Sequence, residues 1–345
     1  MKHLNVIARI LCLIIAQASL AHAGDYKIVK TAQFMGTGGI DYVYADNDNR
    51  RLYVARGNQV LVFDEDTFQS VGSITNTRAR GEAVDPVSNH GFCSSSPIVM
   101  WDAKTLAPIK TIPVQGRPDG IIFEPLTERI YVLSHSEPNV TVLDGKDGAV
   151  VGTIDLGGGP EEARSDSQGH VYINLEDKDS IAVVDVHTLK VTARYDISSK
   201  GGGPGGLGLD VKNHILFAMC HDPATCVVVN ADTGKILTSL PTGKGSDGGG
   251  FNPATMEAFS SQGDGTLTII KENSPTDFAV EQTVTTKPRA KTSTLDTKNN
   301  QIILITVERP TVNPVTATNA VAGISAPVAK HYQGPGMLDI IAVGK

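Results

Sequence analysis

Charge is scarce in this chain. Asp, Glu, Lys and Arg make up 19% of its 345 residues, aromatic residues 5%, and there is a single tryptophan. So low a charge, beside 40% hydrophobic residues, excludes a charge-rich disordered polymer and leaves ample material for a core. Long apolar runs are missing too. The one candidate, Ile10 to Leu20, falls short of the roughly 20 residues that a spanning helix needs. No GxSxG elbow is present, and no glycine run is followed by Gly-Lys-Ser or Gly-Lys-Thr, which removes any motif-based case for a serine hydrolase or a P-loop nucleotide site. No cofactor motif is legible.

Lys2 and Arg9 flank the start of that apolar run, and Ala21-His22-Ala23 follows it as a small-x-small cleavage site. Residues 1–23 therefore read as a signal peptide, leaving 24–345 as one domain, a monomer that is periplasmic or secreted and has no transmembrane segment. Cys12 has no lipobox-like neighbours. Losing the leader removes two basic residues and no acid, so the formal charge of −7 becomes about two units more negative, which argues against bulk nucleic-acid binding. Cys93, Cys220 and Cys226 remain. In an oxidising compartment the expectation is a Cys220–Cys226 disulfide across one hairpin. Free buried thiols, or a metal site with His221 in the run CHDPATC, are the alternatives.

Internal repetition decides the fold class. Asp46, Asp85, Glu124, Asp166, Asp210, Asn252 and Asp296 recur at spacings of 39, 39, 42, 44, 42 and 44, each at a short polar turn between apolar strands. An Asp or Asn side chain can bond its own backbone two residues on and so stabilise such a turn. After each comes a second strand, such as Leu52-Tyr53-Val54 or Ile130-Tyr131-Val132-Leu133, and then usually a third and a fourth. Four strands in about 42 residues, seven times over, predict an all-β, seven-bladed β-propeller of four-stranded antiparallel blades. The seventh repeat lacks a fourth strand, and Tyr26 to Phe34 alternates like a strand with no blade of its own. The N-terminal strand is therefore expected to complete the last blade and close the ring.

The strands Leu52-Tyr53-Val54-Ala55 and Ile130-Tyr131-Val132-Leu133 occur with DxxT turns at Asp64–Thr67, Asp102–Thr105 and Asp185–Thr188. Together they make the chain similar to the YVTN-repeat family of bacterial extracytoplasmic propellers, including YncE-like proteins. The resemblance spans nearly the whole mature chain and implies a fold and a compartment. Some members are linked to single-stranded DNA binding. Others are cell-surface proteins or resemble the β-subunit propeller of quinohaemoprotein amine dehydrogenases. The repeat motif is structural and carries no catalytic residues over.

Five positions before each turn residue, where the innermost strand begins, stand Asp41, Arg80, Asp119, Glu161, Gly205, Asp247 and Lys291. Six charges in seven exceed what the composition would place there, so this ring is the expected ligand-binding mouth. Two readings stand. Alternating signs neutralise one another around a solvated channel, or Asp119 and Glu161, adjacent and without a cation between them, share a metal or cationic ligand. Arg56, Arg78, Arg80, Arg117, Arg289 and Lys291 would form a basic arc facing an acidic one of Glu161, Glu162, Glu176, Asp177 and Asp222. A phosphate, a carboxylate or a nucleic-acid backbone would suit the basic arc. His135, near Glu137, and His221, near Asp222, sit in loops expected on the same face, as does His331.

Glu308 to Gly336 breaks the repeat with four prolines and reads as a long insertion in blade seven, either a lid bringing Lys330, His331 and Tyr332 over the mouth or a linker. The glycine runs at 157–159, 201–206 and 248–250 read as close approaches of inner strands at the axis. The leading functional expectation is an extracytoplasmic, non-catalytic binding or scaffold propeller that engages a small molecule, polymer or protein through its charged loop face. An enzyme using Asp41, Asp119, Glu161 and His221 is one alternative, and single-stranded DNA binding another.

Overall fold

A computed structural model of the chain describes residues 24–308 and 335–345. The expected leader, and most of the expected insertion with Lys330, His331 and Tyr332, lie outside the described residues. Those described form seven four-stranded antiparallel sheets, and their single helical turn is the 3-10 turn Glu176–Lys178. Six blades run in chain order, spanning 40–75, 82–112, 118–154, 160–196, 204–241 and 246–285. The seventh is composite. Its inner three strands are Thr292–Asp296, Gln301–Glu308 and Pro335–Gly344, and Lys27–Thr37 pairs with the last of these, Lys27 opposite Gly344 and Thr37 opposite Pro335. The N-terminal strand thus supplies the outer edge of blade seven. No helix among the described residues is long and apolar enough to cross a membrane.

Burial follows from the stacking of blades. The second strand of a blade has neighbours on both faces and is largely buried, as in the apolar Ile215–Cys220, where every residue is buried. An outer strand such as Lys190–Asp196 alternates exposed and half-buried residues. The core is correspondingly divided into seven apolar clusters, one between each pair of adjacent blades. Between blades seven and one, Ile303, Ile305 and Ile340 pack on Val43, Leu52 and Val54. That junction is built like the other six.

The repeated turn residues act as their chemistry requires. The carboxylates of Asp46, Asp85, Glu124, Asp166, Asp210 and Asp296 and the amide oxygen of Asn252 each accept a backbone N–H two or three residues ahead. In the DxxT turns, the N–H and the hydroxyl of Thr67, Thr105 and Thr188 both bond the preceding aspartate.

The expected Cys220–Cys226 disulfide is corrected. All three cysteines are free and buried. Cys226 stands opposite Met219, and Cys220 opposite Thr225, so the two are offset by one residue on paired strands. A one-residue offset sends side chains to opposite faces of a sheet. Cys220 accordingly packs between blades four and five, and Cys226 between blades five and six.

Candidate functional site

Each mouth residue sits at or just before the start of an innermost strand, whose axis-facing edge has no partner in its own blade. Neighbouring blades supply partners for these backbone groups. Thr292 Oγ1 donates to the Asp41 carbonyl at 2.9 Å, Tyr42 N–H to Arg80 O at 3.0 Å, Asn174 Nδ2 to Gly205 O at 3.1 Å and Ser261 Oγ to Lys291 O at 2.6 Å, while Ser94 Oγ donates to Asp119 O. Satisfying these edge carbonyls fixes the backbone from which the charged side chains project.

Those side chains form two separate groups. Lys291 Nζ pairs with Asp247 Oδ2 at 2.6 Å. On the other side, Arg80 Nη1 lies 3.2 Å from Asp41 Oδ2 and 3.0 Å from Asp119 Oδ1. His135 Nε2 then meets the second Asp119 oxygen at 2.6 Å and Glu161 Oε1 at 3.4 Å. Asp41, Arg80, Asp119, His135 and Glu161 are therefore one connected chain across blades one to four. His135 stands on the loop between the second and third strands of blade three, its N–H bonded to Arg117 O at 3.2 Å. It fills the gap that the sequence left between Asp119 and Glu161. Gly205 supplies no mouth side chain, and His221 occupies that space: a Cβ on Gly205 would lie 2.9 Å from its Nε2. His221 also approaches Glu176 Oε1, at 4.0 Å.

Burial sets the electrostatics. Asp41 is pushed up to about 6, first by desolvation and then by the charge of Asp119, with Arg80 offsetting part of the rise. Glu161 is raised by burial and by the Asp119 and Glu176 charges. His135 is raised chiefly by its hydrogen bond to Asp119, against a smaller opposing effect of burial. Asp41, His135 and Glu161 thus hold protons more tightly than the same groups in water.

Two cavities adjoin the chain. An open cleft of about 870 Å³ between blades three and four is bounded by Arg117, His135, Asn139, Gly158, Glu176 and Asp177. Its glycine lip is held by Asp177 Oδ1, which accepts Gly159 N–H at 2.6 Å. Below the mouth, an axial cavity of about 470 Å³ is lined by Tyr42, Tyr44, Ile122, Glu162, Arg164 and Gly250, among others. Glu162 accepts the Leu207 N–H at 2.6 Å and Arg164 Nη2 at 2.9 Å, and Arg164 reaches Gly249 O at 2.6 Å. This strut ties blades four, five and six together. Blades five and six meet backbone to backbone there, since a Cβ on Gly206 would fall 2.5 Å from the Gly248 carbonyl carbon.

Several expected members of the face are elsewhere. Arg56 is 1% exposed, and its guanidinium donates to Phe34 O at 3.0 Å and Gly336 O at 2.6 Å, clasping the closing strands. Arg78 bonds Asn58 Oδ1 at 3.0 Å, and Arg80 lies between two aspartates. The basic arc therefore loses Arg56 to the interior and Arg80 to its carboxylates, while Arg117 remains exposed at the cleft. Glu162 is buried in the axial strut, which removes it from the acidic arc. Glu82, unremarked in the sequence, is buried and raised well above the usual carboxylate range by desolvation, with a smaller contribution from Asp41. Its signal was a carboxylate at the strand position that other blades fill with Val43, Ile121, Ala163 and Leu207.

No protein-family model and no curated protein matches the chain. Solved structures do. A chain of a mitotic checkpoint complex aligns with TM-score 0.68 at 12% identity, over 88% of this chain and 96% of that one. The U3-55K structure aligns with TM-score 0.68 at 10% identity, over 89% and 98%. The RRP9 WD40 repeats align with TM-score 0.70 at 9% identity, over 90% and 97%. At such identities the likeness is one of fold alone. The likeness to the WD40 repeats and the seven sheets together establish the chain as a seven-bladed β-propeller of four-stranded antiparallel blades.

Proposed function

We propose that the chain is an extracytoplasmic, non-catalytic binding propeller of the YVTN-repeat, YncE-like kind. It takes a ligand, or a segment of a partner protein, into the cleft between blades three and four. The observation that carries this reading is the position of the cleft, which opens beside the end of the Asp41–Arg80–Asp119–His135–Glu161 chain. A concave site with a few convergent polar groups is where ligand binding is expected. The leader-like first 23 residues support the compartment, and the DxxT turns support the family. The single-stranded DNA reading loses ground with Arg56 and Arg80, because a basic stripe needs cations free to meet phosphates.

A thermal-shift screen of residues 24–345 against organic acids, amines, sugars, nucleotides and peptides tests the reading, since a specific ligand raises the melting temperature by mass action. The expected hit is returned chemically unchanged and is weakened at least tenfold by Arg117→Ala or Glu176→Gln. A hit insensitive to both changes would move the site away from the cleft. Turnover of the hit would end the non-catalytic reading.

A further inference from the structure

We propose that Asp119, His135 and Glu161 form a binding site for a divalent transition-metal ion, an inference that rests on the mouth being the ligand face and names its first ligand. Their donor atoms lie within 4.8 Å of one another: one imidazole nitrogen and one oxygen from each of two carboxylates. Metal–ligand bonds of about 2.0–2.2 Å place neighbouring donors about 3 Å apart. His135 Nε2 is 3.4 Å from Glu161 Oε1 and 2.6 Å from Asp119 Oδ2, so small side-chain rotations would complete the set.

The three residues come from the inner strands of two adjacent blades and a loop of one of them. Ser94 of the neighbouring blade holds the Asp119 carbonyl and Arg117 O holds the His135 N–H, and the donors converge without the ion. Asp119 is 4% exposed, and the oxygen that His135 does not touch, Oδ1, is held by Arg80 at 3.0 Å. Such an outer partner orients a ligating carboxylate. His135 also lines the 870 Å³ cleft, so the site borders space open to solvent or to a ligand.

Donor chemistry selects the class of ion. Calcium takes six to eight oxygens, and magnesium keeps most of its water. One imidazole with two carboxylates suits zinc, manganese, iron or cobalt in the divalent state. Among the described residues the other mouth carboxylates lack a comparable set: Asp247 pairs with Lys291, and Asp41 with Arg80.

The test is a titration of the untagged mature chain, stripped with EDTA, by Co²⁺ and Zn²⁺. Calorimetry gives the stoichiometry, and the visible absorption of cobalt reports its ligands. The expected result is one ion per chain, with affinity reduced at least tenfold by His135→Gln and by Glu161→Gln and unchanged by His214→Ala on a remote turn. Should the mouth variants fail to fold, paramagnetic shifts of the His135 imidazole resonances in the cobalt-loaded wild-type chain report the same contact. Absence of stoichiometric binding, binding indifferent to both variants, or unshifted His135 resonances would overturn the site. A cleft ligand that still stabilises the chain in EDTA, alongside a failed cobalt titration, would end the metal site and leave the binding reading standing. A cobalt site with no cleft ligand in the screen would do the reverse.

Discussion

A single acceptor side chain organises the first turn of every blade, and a single offset separates two cysteines that look pairable in sequence. Both follow from strand geometry, in which neighbouring residues point to opposite faces. The buried thiols are correspondingly inert: desolvation pushes Cys220 up to about 12 and Cys226 well above the ordinary range. A chain of residues 24–345 is therefore expected, when native, to be unreactive toward Ellman's reagent at about pH 8. After unfolding without reductant it should release three titratable thiols, Cys93, Cys220 and Cys226. A count of one would restore the Cys220–Cys226 bridge. At the same scale, Asp119 and Glu161 were legible as a pair because repeat alignment placed them at equivalent positions. Their link through His135 was hidden, because His135 lies on a loop outside the aligned positions, and its sequence neighbour Glu137 suggested a different partner.

At the scale of the strand, the closing element Lys27–Thr37 was legible from its alternation, because an outer strand is covered on one face and wet on the other. What secures it was not. Arg56 reads as a surface charge at the end of a second strand, yet it crosses under the closing strands to bond two of their carbonyls. Hydrogen bonds to a charged group contribute about 1.5–3 kcal/mol each, while burying the guanidinium costs part of that gain, and desolvation lowers its pKa. Arg56→Met is expected to destabilise the fold by about 1–3 kcal/mol, read as a lower urea midpoint at unchanged slope. Arg78→Met, which loses only a bond to Asn58 at the surface, should stay within about 0.5 kcal/mol. Equal effects would show that Arg56 clasps nothing. The inner strands of blades five and six present a similar case: their glycines were legible as a close approach, but which backbone each glycine meets depends on the neighbouring blade.

Across the whole molecule, buried carboxylates make stability depend on pH. Asp41 is pushed up to about 6, Glu272 to about 7 and Glu65 to about 8, each by burial first. In the unfolded chain all three would titrate near pH 4. Between those values the native state holds protons that the unfolded chain has released. The stability these groups contribute is therefore complete below about pH 4 and is lost as pH rises through 6 to 8. Groups held low by hydrogen bonds or cations work in the opposite sense. Asp66, whose largest influence is the Arg50 hydrogen bond, contributes stability at neutral pH that disappears in acid. The urea midpoint is expected to peak between about pH 4 and 6 and to be lower at about pH 8.5, with Glu272→Gln flattening that fall. A midpoint that rises steadily toward alkaline pH would contradict these assignments.

Blade number, strand order and the closing strand were determined by the sequence itself, because they depend on turn chemistry and on the two-residue period of half-buried strands, which are local and repeated seven times. The tertiary structure alone decided which charges meet at the mouth, that Arg56 and Glu162 turn inward and that two near cysteines never touch. Those outcomes depend on which face of which blade packs against its neighbour, and contacts between strands distant in sequence leave no periodic trace in the chain.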